Sequence, residues 1–481
     1  MFYMCILSTK SNMMAVLSMQ SSHLRNGVFV LLCQLALAGF QLAQAQTKPE
    51  STQTHEYQLA NGLKLIVRED NRAPTVAHMV WYKAGSMDET NGRTGVAHVL
   101  EHMMFKGTKT VKSGEFSKRV AAMGGRENAF TSMDYTAYFQ QIERSKLAEV
   151  MRLEADRMNN LNFDDAEFAK EIQVVMEERR LRTEDKASGL LYENLMATAY
   201  KATPYRHPII GWMNDLENMV PNDARQWYRD WYAPNNATVV IAGDVDPEKV
   251  RAIAEATYGK LSSRELPIRK PQNEPVQRGT KQVIVKAPAD TPQLAMAWKV
   301  PHINPAKIEE YEPYALALLA AVLDGYDNAR LNRTLVKQDR IANTIDAGYD
   351  MVARGPQLFM ILGTVAKGKT VAQLENGIRS VLSELKAKGI TAAELKRIQV
   401  RILADKIYKR DSIFGQAMEI GSSEIAGVSW KQLDPILDRL QAVTPEQVQA
   451  VARKYLIDDT LTIATLEPQA RGASKLPFKA F

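Results

Sequence analysis

His98 and His102 stand four residues apart in "GVAHVLEHMMFKGT", residues 95–108, with Glu101 between them, in a chain of 481 residues that holds only seven histidines. Four residues is a little over one helical turn, so on a helix both imidazoles point the same way and Glu101 lies beside the pair. Two imidazoles and a carboxylate on one face can hold a metal ion and still leave a group free to act as a base. The competing reading is a pair of surface histidines that happen to be neighbours. At these residue frequencies an H-x-x-E-H arises by accident roughly once in two hundred such chains.

A catalytic zinc site usually takes three protein ligands and keeps a fourth position for water. The stretch "AEFAKEIQVVMEERRLRTED", residues 166–185, supplies acidic candidates at Glu171, Glu177 and Glu178. Glu171 and Glu178 are seven apart, about two turns, so they share a face from which Glu177 points away. One of the pair could ligate while the other orients a histidine. Taken alone, this helix reads better as a solvated acidic face with i,i+4 pairs to arginine. Only the combination with the histidine pair favours a metal.

The surrounding elements follow from periodicity. "LKLIVRED" and "TVAHMVWYKAG" read as strands joined by "NRAP", and Val96, Val99, Leu100, Met103 and Met104 give the histidine segment a helical spacing. "FSKRVAAMGG" is a short helix stopped by Gly124 and Gly125, and "NAFTSMDYTAYFQQI" alternates like one strand. Asp164 or Asp165 is the expected N-cap of the acidic helix. "ATVVIAGDVDPEKVRAIAEATYGKL" reads as strand, turn and helix. A polar, Pro-bearing stretch without periodicity then runs to residue 279, and the linker is placed at 266–279. Beyond it the order recurs, with strands at "KQVIVKAP" and "QLAMAWKVP", a helix at "YEPYALALLAAVLDG", a strand near "TIDAGYDM", further helices and a closing "LTIATLEP". The expected fold class is α+β, with two similar domains at 46–265 and 280–481, each an antiparallel-rich sheet covered by helices. The second copy has no histidine pair.

Composition agrees with a folded protein of about this domain count, at 45% hydrophobic and 24% charged residues. The N-terminus stands apart. "HLRNGVFVLLCQLALAGFQLAQAQ" places Arg25 before an apolar run from Val28 to Phe40 and small residues at Ala43 and Ala45. That is the order of a secretory signal, with cleavage expected after Ala45, export to a periplasm, and Met1, Met13, Met14 or Met19 as the start. A membrane anchor fits less well, because the run is short and broken by Gln34. A mitochondrial leader is the lesser alternative. Removing residues 1–45 leaves 59 basic against 55 acidic residues, a charge of +4, too mild to argue for nucleic acid. Cys5 and Cys33 go with the leader, so any metal is held by nitrogen and oxygen.

"GRTGVAHVLEHMMFKGT", from Gly92 to Thr108, closely resembles the inverzincins, the pitrilysin and insulin-degrading-enzyme group that includes the mitochondrial processing peptidases. "GGRENAFTSMDYTAYF", "EIQVVMEERR", "YRHPIIGW" and "GDVDPEKV" match in the same order, and the resemblance is densest between residues 57 and 260. It implies a zinc endopeptidase acting on extended peptides in a chamber, of which this chain forms one half. It implies one Zn2+ held by His98, His102 and Glu178, Glu171 close to the metal but not a ligand, and Glu101 as the general base. Asn128 and Ala129 match the positions of an edge strand that holds substrate, and His207 is expected to be structural. The chain departs from the group where an Arg and a Tyr are expected in the second half: Val336 and Asn343 stand there, and Arg340 and Tyr349 are off the spacing. The implied partner is a homologous two-domain subunit that supplies the pair. A homodimer is the alternative assembly, and a non-catalytic scaffold or peptide-binding subunit the alternative function.

Overall fold

Runs of β-branched and aromatic residues build two sheets in the computed structural model, which describes residues 53–470; the expected export signal lies outside the described residues. The first sheet comprises β1 (Thr54–Gln58), β2 (Lys64–Glu69), β3 (Thr75–Tyr82), β4 (Arg126–Thr131), β5 (Thr136–Glu143) and β6 (Ala237–Gly243), in the order β1-β2-β6-β3-β5-β4. The second comprises β7 (Lys281–Pro288), β8 (Gln293–Val300), β9 (Ala342–Gly348), β10 (Gln357–Val365) and β11 (Leu461–Gln469), in the order β7-β11-β8-β10-β9. Without β1, the two orders are the same path. In each, the first and last strands pair in parallel, β2 with β6 and β7 with β11, and the remaining neighbours are antiparallel. The α+β reading with two similar units holds.

The central strands are buried on both faces; β6 is buried along its whole length and β3 from Val76 onward. One face of each sheet is covered by helices of its own half. The other face is covered by a helix from the opposite half. Ile413–Ile425 packs on β3 and β6, where Ala417 and Ile420 meet Met79, Trp81 and Val240. Ala187–Ala199 packs on β7, β8 and β11, where Leu191 and Leu195 meet Val285, Ala297 and Leu466. The fit is close enough that a Cβ on Gly421 would stand 2.1 Å from Trp81 Cε2. Burying each such leucine or isoleucine contributes about 1.5–3 kcal/mol, so the exchanged helices tie the halves together.

Residues 262–278 form no helix or strand, yet the segment is pinned. Glu274 accepts from the backbone N–H groups of Lys201 and Ala202, both at 2.8 Å, and from Lys299 Nζ at 2.7 Å. Three sequence readings are corrected. "NAFTSMDYTAYFQQI" is two strands, because Ser132 N–H donates to Tyr135 O at 2.8 Å and closes a hairpin. A strand ahead of "LKLIVRED" that the sequence reading did not place, β1, is a polar edge strand with no apolar run to announce it. A strand that the sequence reading did not place, β10, lies in the middle of the second sheet. Among the described residues, no helix is long and apolar enough to cross a membrane.

Candidate metal centre

The helix Val96–Met103 carries the histidine pair because its apolar positions Val96, Val99, Leu100 and Met103 lock it into the first core. Its start is fixed from outside. Gly95 adopts φ 88° as N-cap, so close to the next segment that a Cβ would meet Ile210 O at 2.5 Å. Buried Glu89 accepts from Gly95 N–H at 2.8 Å and Ala97 N–H at 2.9 Å. Burial pushes the Glu89 carboxyl up to about 8 in spite of those two donors. The helix Asp165–Arg179 begins as expected, with the Asp164 side chain accepting from Glu167 N–H at 2.7 Å. It ends on Arg179, whose guanidinium donates to Glu193 and to Gly211 O, both at 2.8 Å.

These two helices bring His98, His102 and Glu178 together, with one ligand atom from each lying within 4.8 Å of the others. Glu178 Oε2 is 3.4 Å from His102 Nε2 and 3.8 Å from His98 Nε2. The other carboxylate oxygen, Oε1, is held by Arg182 Nη1 at 2.5 Å. Glu171 accepts from His102 Nδ1 at 2.8 Å and pairs with Lys106 Nζ at 2.5 Å. Glu177 points away and pairs with Arg180. Glu101 does not join the cluster of three. Its Oε2 accepts from Thr131 Oγ1, at the end of β4, at 2.5 Å.

The protonation balance follows from this geometry. Burial, then the charge of His102, push His98 down to about 3. Burial also acts to lower His102, but its hydrogen bonds to Glu171 and Glu178 outweigh this and lift it to about 9. Burial would raise Glu178, yet His102 and the neighbouring positive charges bring it down to about 2. Burial raises the Glu101 carboxyl, opposed by the Thr131 hydroxyl. His102 is thus the more basic of the two imidazoles, because two carboxylates face it. His98 Nδ1 is buried with no hydrogen-bond partner among the described residues, so the two histidines are oriented by different means.

Asn128 and Ala129 lie on β4, which ends its sheet and pairs only with β5, opposite Phe139 and Tyr138. The Asn128 side chain accepts from Ala129 N–H at 2.9 Å. His207 is buried with neither ring nitrogen hydrogen-bonded among the described residues, near Arg206 and Asp215. In the second half, Val336 packs against the apolar core and Asn343 donates to Val365 O at 3.3 Å. Tyr349 donates to Pro301 O at 2.6 Å. Sequence reasoning missed Glu89, Lys106, Thr131 and Arg182. Arg182 was legible as an i,i+4 partner of Glu178, whereas Glu89 and Thr131 reach the site only through tertiary contacts.

The sequence profile described as Insulinase (Peptidase family M16) matches residues 64–212, and that described as Peptidase M16 inactive domain matches residues 218–401. The zinc protease PqqE of Helicobacter pylori is 32% identical over 424 residues, covering 85% of this chain and 92% of that protein. A crystal structure of a protease from Helicobacter pylori superposes with a TM-score of 0.82 at 29% identity, over 87% of this chain and 100% of that one. A probable mitochondrial-processing peptidase subunit beta of Arabidopsis thaliana is 25% identical over 424 residues, 85% of this chain and 77% of that protein. The chain belongs to the insulinase (M16) peptidase family. His98, His102 and Glu178 lie in the first matched segment, and the second matched segment is the one described as inactive.

Proposed function

We propose that the chain is a zinc-dependent endopeptidase that hydrolyses extended peptides or unfolded protein segments, with His98, His102 and Glu178 as ligands and Glu101 as general base. The observation that carries this reading is the convergence of three ligand atoms beside a carboxylate that is not one of them. Tetrahedral zinc with bonds of about 2.0–2.2 Å sets its ligand atoms roughly 3.4 Å apart. The His102–Glu178 distance of 3.4 Å already meets that, and the N/O donor set suits zinc. Zinc bound there supplies Lewis acidity towards water and the scissile carbonyl.

The chain's own residues supply the rest. Glu178 offers Oε2 to the metal because Arg182 occupies Oε1. Glu171 fixes the His102 ring by taking its Nδ1–H, which leaves Nε2 as the ligating atom. Glu101, raised by burial, accepts a proton at its carboxylate and can return it to the leaving amine. Thr131 ties that carboxylate to β4, so a peptide added along the β4 edge at Asn128 and Ala129 runs past the base.

Val336 and Asn343 stand where the Arg and Tyr are expected, and the Asn343 amide already donates to Val365 O, which supports a partner. The reading is a chamber completed by a homologous two-domain subunit that carries the Arg/Tyr pair; a homodimer is the alternative. That one relative is named as subunit beta fits this. Export through residues 1–45 to a periplasm belongs to the same proposal, and the N-terminal residue of the native protein tests it.

The test is cleavage of a quenched fluorescent peptide by the zinc-loaded chain, alone and with the homologous subunit. Hydrolysis abolished by chelator and by Glu101→Gln, with zinc retained in the variant, is the expected result. Zinc binding without hydrolysis in any assembly would instead assign the chain to the scaffold or peptide-binding class.

A further inference from the structure

A buried side chain of the second half stands behind the metal centre. Arg354, in the β9–β10 loop, is 7% exposed and grips Asp88, 3% exposed, with both guanidinium nitrogens: Nη1 to Oδ2 at 2.8 Å and Nη2 to Oδ1 at 3.0 Å. The same Nη1 donates to Asp134 O at 2.8 Å, and Arg354 backbone N–H donates to Asp134 Oδ2 at 3.0 Å. Tyr205 completes the joint by donating to Asp134 Oδ1 at 2.5 Å and accepting from Gly355 N–H at 3.0 Å. Arg269 also reaches Asp88, at 2.7 Å, but no contact takes it to Asp134.

Both first-half segments held by Arg354 lead into the centre. Asp88 is followed by Glu89, whose carboxylate fixes the start of the histidine helix at Gly95 and Ala97, one residue before His98. Asp134 sits in the turn after β4, three residues past Thr131, which holds Glu101. The two segments are themselves joined, Ser86 N–H to Ser132 O at 3.1 Å and Met87 N–H to Met133 O at 2.9 Å. A shift at Asp88 therefore passes to a metal ligand, and a shift at Asp134 to the base.

We infer that Arg354 is a positioning residue of the metal centre, supplied by the half that carries no ligands, and that it sets the spacing between the zinc ligands and Glu101. This rests on the zinc-site reading. The forked guanidinium matters because its two nitrogens meet the two Asp88 oxygens in a fixed parallel geometry, which the single nitrogen of a lysine does not reproduce. A group that orients ligands typically changes metal affinity or activity by about 10–100-fold when removed.

The test compares Arg354→Ala and Arg354→Lys with Lys64→Ala in the full chain. Lys64 is a matched control: it pairs across the halves with Glu424 at 2.8 Å, where Glu424 is 4% exposed, and is placed nowhere in the centre. Amide hydrogen exchange is measured in the metal-free chain, together with the zinc Kd by chelator competition and the kcat and KM. Arg354→Ala is expected to speed exchange in residues 94–104 and 128–136, to raise the zinc Kd by about 10–100-fold and to lower kcat more than it changes KM, with Arg354→Lys intermediate. Lys64→Ala is expected to lower Tm alone. Arg354→Ala that lowers Tm but leaves exchange and zinc Kd as in Lys64→Ala overturns the inference. So does Arg354→Lys with wild-type exchange and zinc affinity, even if the alanine variant does not fold. Because exchange needs neither zinc nor substrate, a chain that proves unable to hydrolyse peptides would defeat the proposed function and still leave this result decisive.

Discussion

The two halves follow one strand path and fill it differently. Between β3 and β4 the first half places a short helix bearing His98, Glu101 and His102, whereas between β8 and β9 the second half places Glu312–Asp324, whose buried positions are Pro313, Tyr314, Ala315, Leu316, Leu318, Leu319, Ala320, Val322 and Leu323. The fold plainly does not require polar groups there. The first half tolerates a buried His98 nitrogen without a partner, and burial drives the Glu89 and Glu101 carboxyls upward. Such groups cost free energy that the apolar helix of the second half does not, and departures of this kind mark functional sites. What the second half contributes instead is support: a helix under the first sheet, and Arg354 behind the centre.

The sharpest test of this asymmetry exchanges one acid in each half. Glu101→Gln is expected to lower peptide turnover by about 10²–10⁴-fold with zinc retained. Asp324, at the end of the corresponding helix, accepts from Ala347 N–H at 3.1 Å, and Asp324→Asn is expected to leave turnover within about twofold. Equal losses in the two variants would break the comparison. On stability the halves should instead behave alike, since each covers the other's sheet. Leu195→Ala, fully buried on the second sheet, should cost about 2–5 kcal/mol. Gly421→Ala, whose new methyl would collide with Trp81, should cost about 1–3 kcal/mol or more. Both should lower a single cooperative urea transition, and two resolved transitions would show that the halves fold independently.

Within the centre, Glu171→Gln keeps the size of the side chain and removes the charge facing His102 and Lys106. It is expected to weaken zinc by about 10–100-fold without abolishing binding, as read by chelator competition. The smallest effect lies in the connecting segment. Burial acts to raise the Glu274 carboxyl, but Lys299 and the N–H groups of Ala202, Lys201 and Thr203 outweigh it and hold it at about 2. Its folded value lies below the ordinary 4.5, so its stabilisation is complete above that pH and fades as pH falls towards 2. Glu274→Gln is expected to cost about 1–3 kcal/mol at neutral pH, and the gap from wild type should close in urea titrations between pH 4.5 and 2. A constant gap would show that the charge plays no part.

The legible parts of the molecule share a cause. The shared faces of His98 with His102 and of Glu171 with Glu178 could be read from helical spacing, while the choice of Glu178 as ligand came from the family resemblance. The two-unit plan was readable because each unit repeats strands and helices whose apolar periodicity is local. β1 and β10 escaped notice for different reasons: β1 is a polar edge strand, and β10, QLFMILGTV, is a short apolar run that periodicity cannot tell from a buried helix segment. The hairpin of β4 and β5 was hidden because its turn, Ser132–Tyr135, interrupts the alternation only briefly.

Sequence by itself determined the pair of helices, the donor residue types and the chemistry those types suit, since these depend on residue type and on spacings within one or two turns. The tertiary structure alone decided which carboxylate oxygen faces the histidines, that Thr131 rather than a helix neighbour holds Glu101, and that each half lends a helix to the other. Those contacts join residues from 30 positions apart, Glu101 and Thr131, to more than 300, Trp81 and Gly421. No local periodicity records such pairs; they exist only because burial of both sheet faces brings the segments together.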